Sequence, residues 1–289
     1  MSLESSELVL NADGSVYHLN LKPEHLAETV ITVGDPGRVD KITRYFDEVE
    51  FKIQKREFHT HTGTYKGKRI TVISTGIGPD NIDIVLNELD ALANIDFETR
   101  QIKDKLTSLE IIRIGTSGSI QEEIPVDSIL MSENSVGFDG VLHFYDSKDI
   151  DNTRYADALA EHMNWYNKKS YPYVVSCDED LASKFHKPEV FKGTTATNIG
   201  FYGPQGRALR LQLQDEKMND KLGSFEFEGK KITNLEMETS AIYALSKLLG
   251  HKALSMNIIL ANRPSGKFAS APGKSVEKLI QFCLDRLAE

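Results

Sequence analysis

A chain of 289 residues with 34 Lys and Arg against 43 Asp and Glu carries a net charge of −9 and no basic block. It is therefore not built to bind a nucleic-acid duplex or an anionic membrane surface, and any anion it takes must be held locally. At 40% hydrophobic and 27% charged residues, it is too apolar for disorder and long enough to bury a large core.

The N-terminal MSLESSELVLNADG lacks the basic-then-apolar order of a signal peptide, and no later run approaches the roughly 18 apolar residues of a membrane span. A cytoplasmic protein is expected. From about residue 29 onward, β-branched runs alternate with helical patterns, as in an α/β protein with covered sheet faces. Strands are predicted at 29–34, 69–75, 109–115, 128–134 and 253–261, and helices at 36–46, 80–94, 154–164, 178–186, 236–249 and 273–288. Thr64–Arg69 (TYKGKR) places a Gly turn between two β-like runs and reads as a hairpin, which makes the sheet mixed. The stretches 95–108 and 214–231 are rich in charge and poor in apolar period, so they read as surface insertions. No linker or repeat divides the chain, and residues 1–289 are counted as one domain. Cys177 and Cys283 lack zinc or redox spacing and are expected to be free thiols.

Three motifs fail on inspection. GIGPDN at 76–81 starts like a dinucleotide fingerprint, but the third glycine would fall on Asn81. Gly273-Lys274-Ser275 resembles the end of a P-loop, yet Phe268 stands where its first glycine is required. His59 and His61 share one face of a strand, but no carboxylate or cysteine at ligand spacing completes a metal set, so they read as two exposed strand histidines.

Four segments carry chemistry. Gly34-Asp35-Pro36-Gly37-Arg38 follows a strand and opens a helix. Its free amides beside a guanidinium suit an anion, although a well-capped turn with a surface arginine accounts for it equally well. Arg113 interrupts the apolar strand LEIIRIG just before the small hydroxyl loop Gly115-Thr116-Ser117-Gly118. Burying a guanidinium costs several kcal/mol unless it is paired, so Arg113 needs a buried carboxylate or an anionic ligand at the strand's carboxyl end. Glu236-Met237-Glu238 stands at a helix start. Two carboxylates two residues apart there should not share a face, so one pairs or caps while the other reaches into a pocket, where a carboxylate suits vicinal hydroxyls. Finally, Phe201-Tyr202-Gly203-Pro204-Gln205-Gly206-Arg207 offers an aromatic face, an amide and a guanidinium. That set fits a flat heterocycle bearing carbonyl and N–H groups, unless the segment is only a turn.

In this order the segments resemble the uridine phosphorylases of the nucleoside phosphorylase-I family, with Val16-Tyr17-His18-Leu19-Asn20-Leu21, Arg56-Glu57-Phe58 and STGIG at 74–78 joining the match. The resemblance implies one domain with a mixed, partly barrel-like central sheet flanked by helices, working as a homodimer or higher homo-oligomer. It implies phosphate as co-substrate and no cofactor, with Gly34, Arg38, Arg113 and Thr116 around phosphate and Arg56 lent by a neighbouring subunit. Ribose falls to Glu236, Met237 and Glu238, with His18 crossing the interface. The base falls to Phe201, Gln205 and Arg207 beside Ser117 and Gly118. Arg113, Thr116, Arg207 and Glu238 are the residues on which catalysis is expected to rest. Purine members carry Ser-Asp where this chain reads Asn262-Arg263, which favours uridine over a purine nucleoside. A same-fold hydrolase and a noncatalytic nucleoside binder are the other readings.

Two departures stand out. Bacterial relatives place a serine near position 81 at a monovalent-cation site, and Asn81 stands here, leaving no metal implied beyond a weak cation site at Glu57, Ile77 and Asn81. Gly203-Pro204 also departs from the order seen in relatives and should alter the turn without moving Gln205 or Arg207.

Overall fold

Runs of β-branched residues without polar alternation form strands covered on both faces, and the computed structural model, which describes residues 2–289, opens its sheet with one. β1 (Thr29–Val33) is buried throughout and leads into α1 (Pro36–Thr43), where the Asp35 carboxylate caps the helix by accepting from the Gly37 amide. β2 (Glu48–Lys55), β3 (Phe58–Tyr65) and β4 (Lys68–Ser74) form an antiparallel meander. Its second turn is the expected hairpin: Lys66 and Gly67 have φ of 49° and 79°, as a two-residue type I′ turn requires.

The chain continues through α2 (Pro79–Asn94), β5 (Ile95–Asp96), β6 (Gln101–Ile102), β7 (Glu110–Ser119), β8 (Ile129–Gly137), α3 (Thr153–Met163) and β9 (Tyr173–Ser176). It ends with α4 (Glu179–Ser183), β10 (Phe191–Thr197), α5 (Met218–Ser224), β11 (Glu226–Phe227), β12 (Lys230–Glu236), α6 (Thr239–Leu248), β13 (Lys252–Asn262), β14 (Lys267–Phe268) and α7 (Pro272–Ala288).

Five strands close into a barrel. β7 runs parallel to β13, β13 antiparallel to β8, β8 parallel to β10 and β10 parallel to β12. β12 then returns antiparallel to the far end of β7, through Asn234 opposite Ser119 and Leu235 opposite Gly118. The near end of β7 pairs with β1 instead, and the sheet continues outward through β4, β3 and β2. Ten residues long, β7 belongs to both halves, and a register shift between Ile259 and Ala261 lets β13 follow it. The result is the expected mixed α/β fold with a partly barrel-like sheet. α2, α6 and α7 pack Leu86, Leu245 and Leu284 into the main core, while Leu159 of α3 and Leu222 of α5 join Ile232 of β12 in a second.

Several expectations change. The helix predicted from 236 starts at Thr239, because Glu236 is still in β12. The loop predicted at 115–118 is strand. The stretch 214–231 is not a bare surface insertion, since α5 buries Met218 and Leu222 and β11 pairs with β12; 95–108 contains the small β5–β6 ladder. His61 is not exposed: β3 lies between β2 and β4, α1 covers it, and the side chain is 2% accessible. Burial, then neighbouring His59, pushes its pKa down to about 4. Both cysteines are free and buried; burial raises Cys177 to about 11 and Cys283 further still. Among the described residues no helix is long and apolar enough to cross a membrane.

Candidate functional site

The carboxyl ends of β1, β4 and β12 and the second half of β7 meet around a cleft of about 870 Å³. In sheets with parallel strands this is where ligands gather. At its floor lies Arg113, 5% exposed. Its Nη2 lies 2.9 Å from Glu236 Oε2 and 2.6 Å from Glu238 Oε2, and its Nη1 donates to Asn257 Oδ1 at 2.8 Å. Gly115 makes this geometry possible. Residues 113 and 115 point to the same side of the strand, and a Cβ at 115 would stand 1.9 Å from Nη1.

Glu236 and Glu238 therefore converge on one nitrogen, contrary to the expectation drawn from a helix. Glu236 closes β12 and Glu238 stands just before α6, so the helical angle between two residues two apart does not separate them. Glu236 also accepts from the Glu238 and Thr239 amides at 2.9 and 3.0 Å and from Thr197 Oγ1 at 2.5 Å, occupying the first free amides of α6. Glu238 Oε1 accepts from the Gly78 amide at 2.9 Å. Burial raises the Glu238 pKa against the pull of Arg113. For Arg113 burial acts downward, but the two carboxylates outweigh it and raise the pKa.

Arg38 reaches in from α1 and donates to the Ile114 carbonyl at 3.1 Å. Burial lowers its pKa, and so does Arg113; two cations face the same space. Gly34, Thr116, Gly118 and Met237 line it, and Ser117, also on the wall, accepts from Asn234 Nδ2 at 3.0 Å.

The opposite end is formed by the 201–207 loop. Arg207 Nη1 donates to Gln205 Oε1 and to the Phe201 carbonyl, both at 2.7 Å, and its guanidinium lies 3.9 Å from the Phe201 ring centroid. Asn219 of α5 and Arg263 both donate to the Gln205 carbonyl, at 3.1 and 3.2 Å, so the loop is held from two sides. Burial, then Arg263, pulls the Arg207 pKa down to about 10. Gln205 and Arg207, which follow the Gly203-Pro204 turn, lie on the cleft wall. A second cavity of about 780 Å³ opens beyond Arg207 between Trp165 and Leu209–Leu213, but it has none of the buried carboxylates.

Two predicted residues lie outside the cleft of their own chain. His18 has its Nδ1 2.6 Å from Glu88 Oε1, and Arg56, exposed and at φ 55°, lies over the Tyr17 ring. Glu57, Ile77 and Asn81 do share one corner of the cleft. Asn257 and Ser255, both on Arg113, went unnoticed in the sequence; their signal was a pair of polar residues inside the apolar strand ALSMNIILA. A carboxylate also joins His59 and His61 after all: Asp40, from α1, lies with them so that one ligand atom from each falls within 4.8 Å of the others. Sequence spacing could not find it because the contact is between elements.

Residues 28–288 match the Phosphorylase superfamily. The chain is 29% identical over 291 residues to the uridine phosphorylase of Thermococcus kodakarensis, covering 99% of this chain and 91% of that one. It is 25% identical over 255 residues to the DeoD-type purine nucleoside phosphorylase of Listeria welshimeri, covering 88% and 90%. Among solved structures, a Trypanosoma brucei nucleoside phosphorylase described as showing uridine phosphorylase activity superposes with a TM-score of 0.87 at 30% identity, covering 97% of this chain and 99% of that chain.

Proposed function

Because the chain belongs to the phosphorylase superfamily, among its nucleoside phosphorylases, we propose that its substrate is uridine, cleaved by phosphate to uracil and ribose 1-phosphate with inversion at the anomeric carbon. The observation that carries this reading is the pairing of Gln205 with Arg207 over Phe201 in the same cleft as Arg113 and Glu238.

Phosphate lies on Gly34, Arg38, Arg113 and Thr116, with Arg56 of the partner subunit. Glu238 accepts from the ribose 2′- and 3′-hydroxyls, Met237 floors the sugar, Glu236 holds the turn, and His18 of the partner subunit meets the 5′-hydroxyl. Phe201 stacks on uracil, Gln205 and Arg207 bond its carbonyls and N3–H, and Ser117 and Gly118 form the wall behind it.

As the C1′–N1 bond breaks, its electron pair moves onto uracil and spreads over two carbonyls, while the ribose becomes cationic. Phosphate, held beneath the ring, stabilises that cation and then forms the new C1′–O bond. A guanidinium at the base gains most when the negative charge develops, so Arg207 favours the transition state over neutral substrate. The leaving group needs no dedicated acid, and none stands at the purine position. Asn262 spends its amide on the carbonyls of Gln121 and Ile124, both at 2.9 Å, and Arg263 braces the Gln205 loop.

The test is incubation with uridine or inosine, with and without phosphate. Uracil and ribose 1-phosphate formed from uridine only when phosphate is present is the expected result. Preference for inosine, release of base by water alone, or uridine bound and left intact each overturns the reading.

A further inference from the structure

The Asp40, His59 and His61 cluster lies behind the cleft, between α1 and β3, and nothing in the proposed reaction uses it. The two imidazoles stand edge to face with ring centroids 4.5 Å apart. His61 is oriented from α1: its Nδ1 lies 2.8 Å from Thr43 Oγ1, and that hydroxyl is 3.1 Å from the Val39 carbonyl. A hydroxyl has one proton to give. With that proton donated to Val39, Thr43 accepts from Nδ1–H, and the Nε2 lone pair of His61 is left facing outward. What it faces is Asp40 Oδ1, 3.9 Å away. A lone pair aimed at a carboxylate is repulsive unless something cationic stands between them.

We propose that Asp40, His59 and His61 bind a divalent transition-metal ion, Zn²⁺, with its remaining coordination open to water on the Asp40 side. Two imidazole nitrogens and one carboxylate oxygen form a donor set for zinc and its neighbours, whereas magnesium and calcium take oxygen. A hydrogen bond fixing the far nitrogen of a ligating histidine is the usual support for such a site, and Thr43 supplies it. At zinc bond lengths of about 2.0–2.1 Å, tetrahedral ligand atoms lie about 3.4 Å apart. The His61 to Asp40 distance of 3.9 Å is close to that. Asp40 and His59 are the more exposed members and can turn inward, while buried His61 stays fixed. Lys52, opposite His61 on β2, is the like charge the ion must meet; it is exposed and free to point away. The ion would clamp the middle of α1 to the strand beneath it.

Chelator-stripped protein titrated with Zn²⁺ by calorimetry tests this, with Asp40→Asn and His59→Gln as variants. Both positions avoid the fully buried ligand, and thermal unfolding without metal checks that they remain folded. Wild type should bind one equivalent of Zn²⁺ and unfold at a higher temperature with it, by mass action on the native state. Each variant should lose more than about tenfold in affinity, the low end of what the loss of an outer-shell partner produces, along with the thermal shift. Co²⁺ should give visible tetrahedral bands in wild type alone, and Mg²⁺ should leave the midpoint unmoved. No Zn²⁺ binding by wild type, or wild-type affinity in both variants, overturns the proposal; unchanged affinity would place the ion on other surface histidines.

Discussion

Alanine at position 115 is expected to do damage out of proportion to its size. Gly115 has no positive φ, so alanine meets no conformational penalty and suits a strand better than glycine. The conflict is with Arg113, since the new Cβ would stand 1.9 Å from Nη1, 2.4 Å from Cζ and 2.8 Å from Nη2. A guanidinium at the end of a long side chain usually swings away at little cost. Here it is buried, with Nη2 on Glu236 and Glu238 and Nη1 on Asn257. Moving it strands two buried carboxylates, and breaking a buried ion pair costs about 3–5 kcal/mol. Part of that is recovered if Glu238, whose pKa burial already raises, takes up a proton. A loss near the lower end, about 3 kcal/mol by urea unfolding, is therefore expected. On the proposed function the phosphate KM should also rise at least about tenfold, the equivalent of about 1.4 kcal/mol in binding. Gly118→Ala is the control: its Cβ would meet the Ala261 Cβ at an ordinary 3.7 Å, and stability should stay within about 0.5 kcal/mol. A Gly115→Ala protein as stable as wild type with an unchanged phosphate KM would refute the argument that the missing side chain positions Arg113.

Arg207→Ala should lower uridine turnover roughly 100-fold or more, the scale for one transition-state donor, and unchanged turnover would remove Arg207 from the chemistry. Because burial raises the Glu238 pKa, its carboxylate is lost as pH falls through a value above the ordinary figure of about 4.3. The acid limb of kcat/KM should lie above that figure and vanish in Glu238→Gln; a limb at the ordinary value would contradict the assignment. The stability sign is opposite to that of a paired surface carboxylate: a folded pKa above the unfolded one makes this group's contribution full at low pH and lost as pH rises through the folded value. Cys177, raised to about 11, should not react with iodoacetamide at neutral pH in the native protein, and alkylation at the rate of an exposed thiol would show the burial to be wrong.

Much of this site could be read locally. A charge inside an apolar strand has to be paired, so Arg113 was visible as LEIIRIG; an aromatic, an amide and an arginine within seven residues made 201–207 visible in the same way. What escaped depends on contacts distant in sequence. Barrel closure rests on Leu235 meeting Gly118, a pairing no periodicity announces. α5 is too short to show an apolar period, yet its Asn219 holds the 201–207 loop. Asp40 joins His59 and His61 only because α1 packs across β3. The Glu236 and Glu238 pair departs from expectation for a local reason: α6 starts at Thr239 and not at 236, so neither carboxylate stands on a helix face.

On the proposed function, charge bookkeeping at the Arg113 end of the cleft argues for a second chain. Arg113 and Arg38 face Glu236 and Glu238 there, two against two, and Asp35 and Glu57 also line the cleft. A phosphate dianion entering a partly buried space with no net positive charge would be opposed by desolvation as well as by the carboxylates. Glu238 can turn toward the ribose, but the balance still lacks a cation, and Arg56 is outside the cleft of its own chain. Supplied by a partner subunit, it would complete the site. The requirement can be tested by complementation. Arg56→Ala and Glu238→Ala should each be nearly inactive, yet a mixture in which subunits exchange should regain uridine phosphorolysis, because one site in each mixed dimer then has both residues intact. An Arg56→Ala protein with wild-type phosphate KM, or a mixture that exchanges subunits and stays inactive, would mean that each chain balances its phosphate alone.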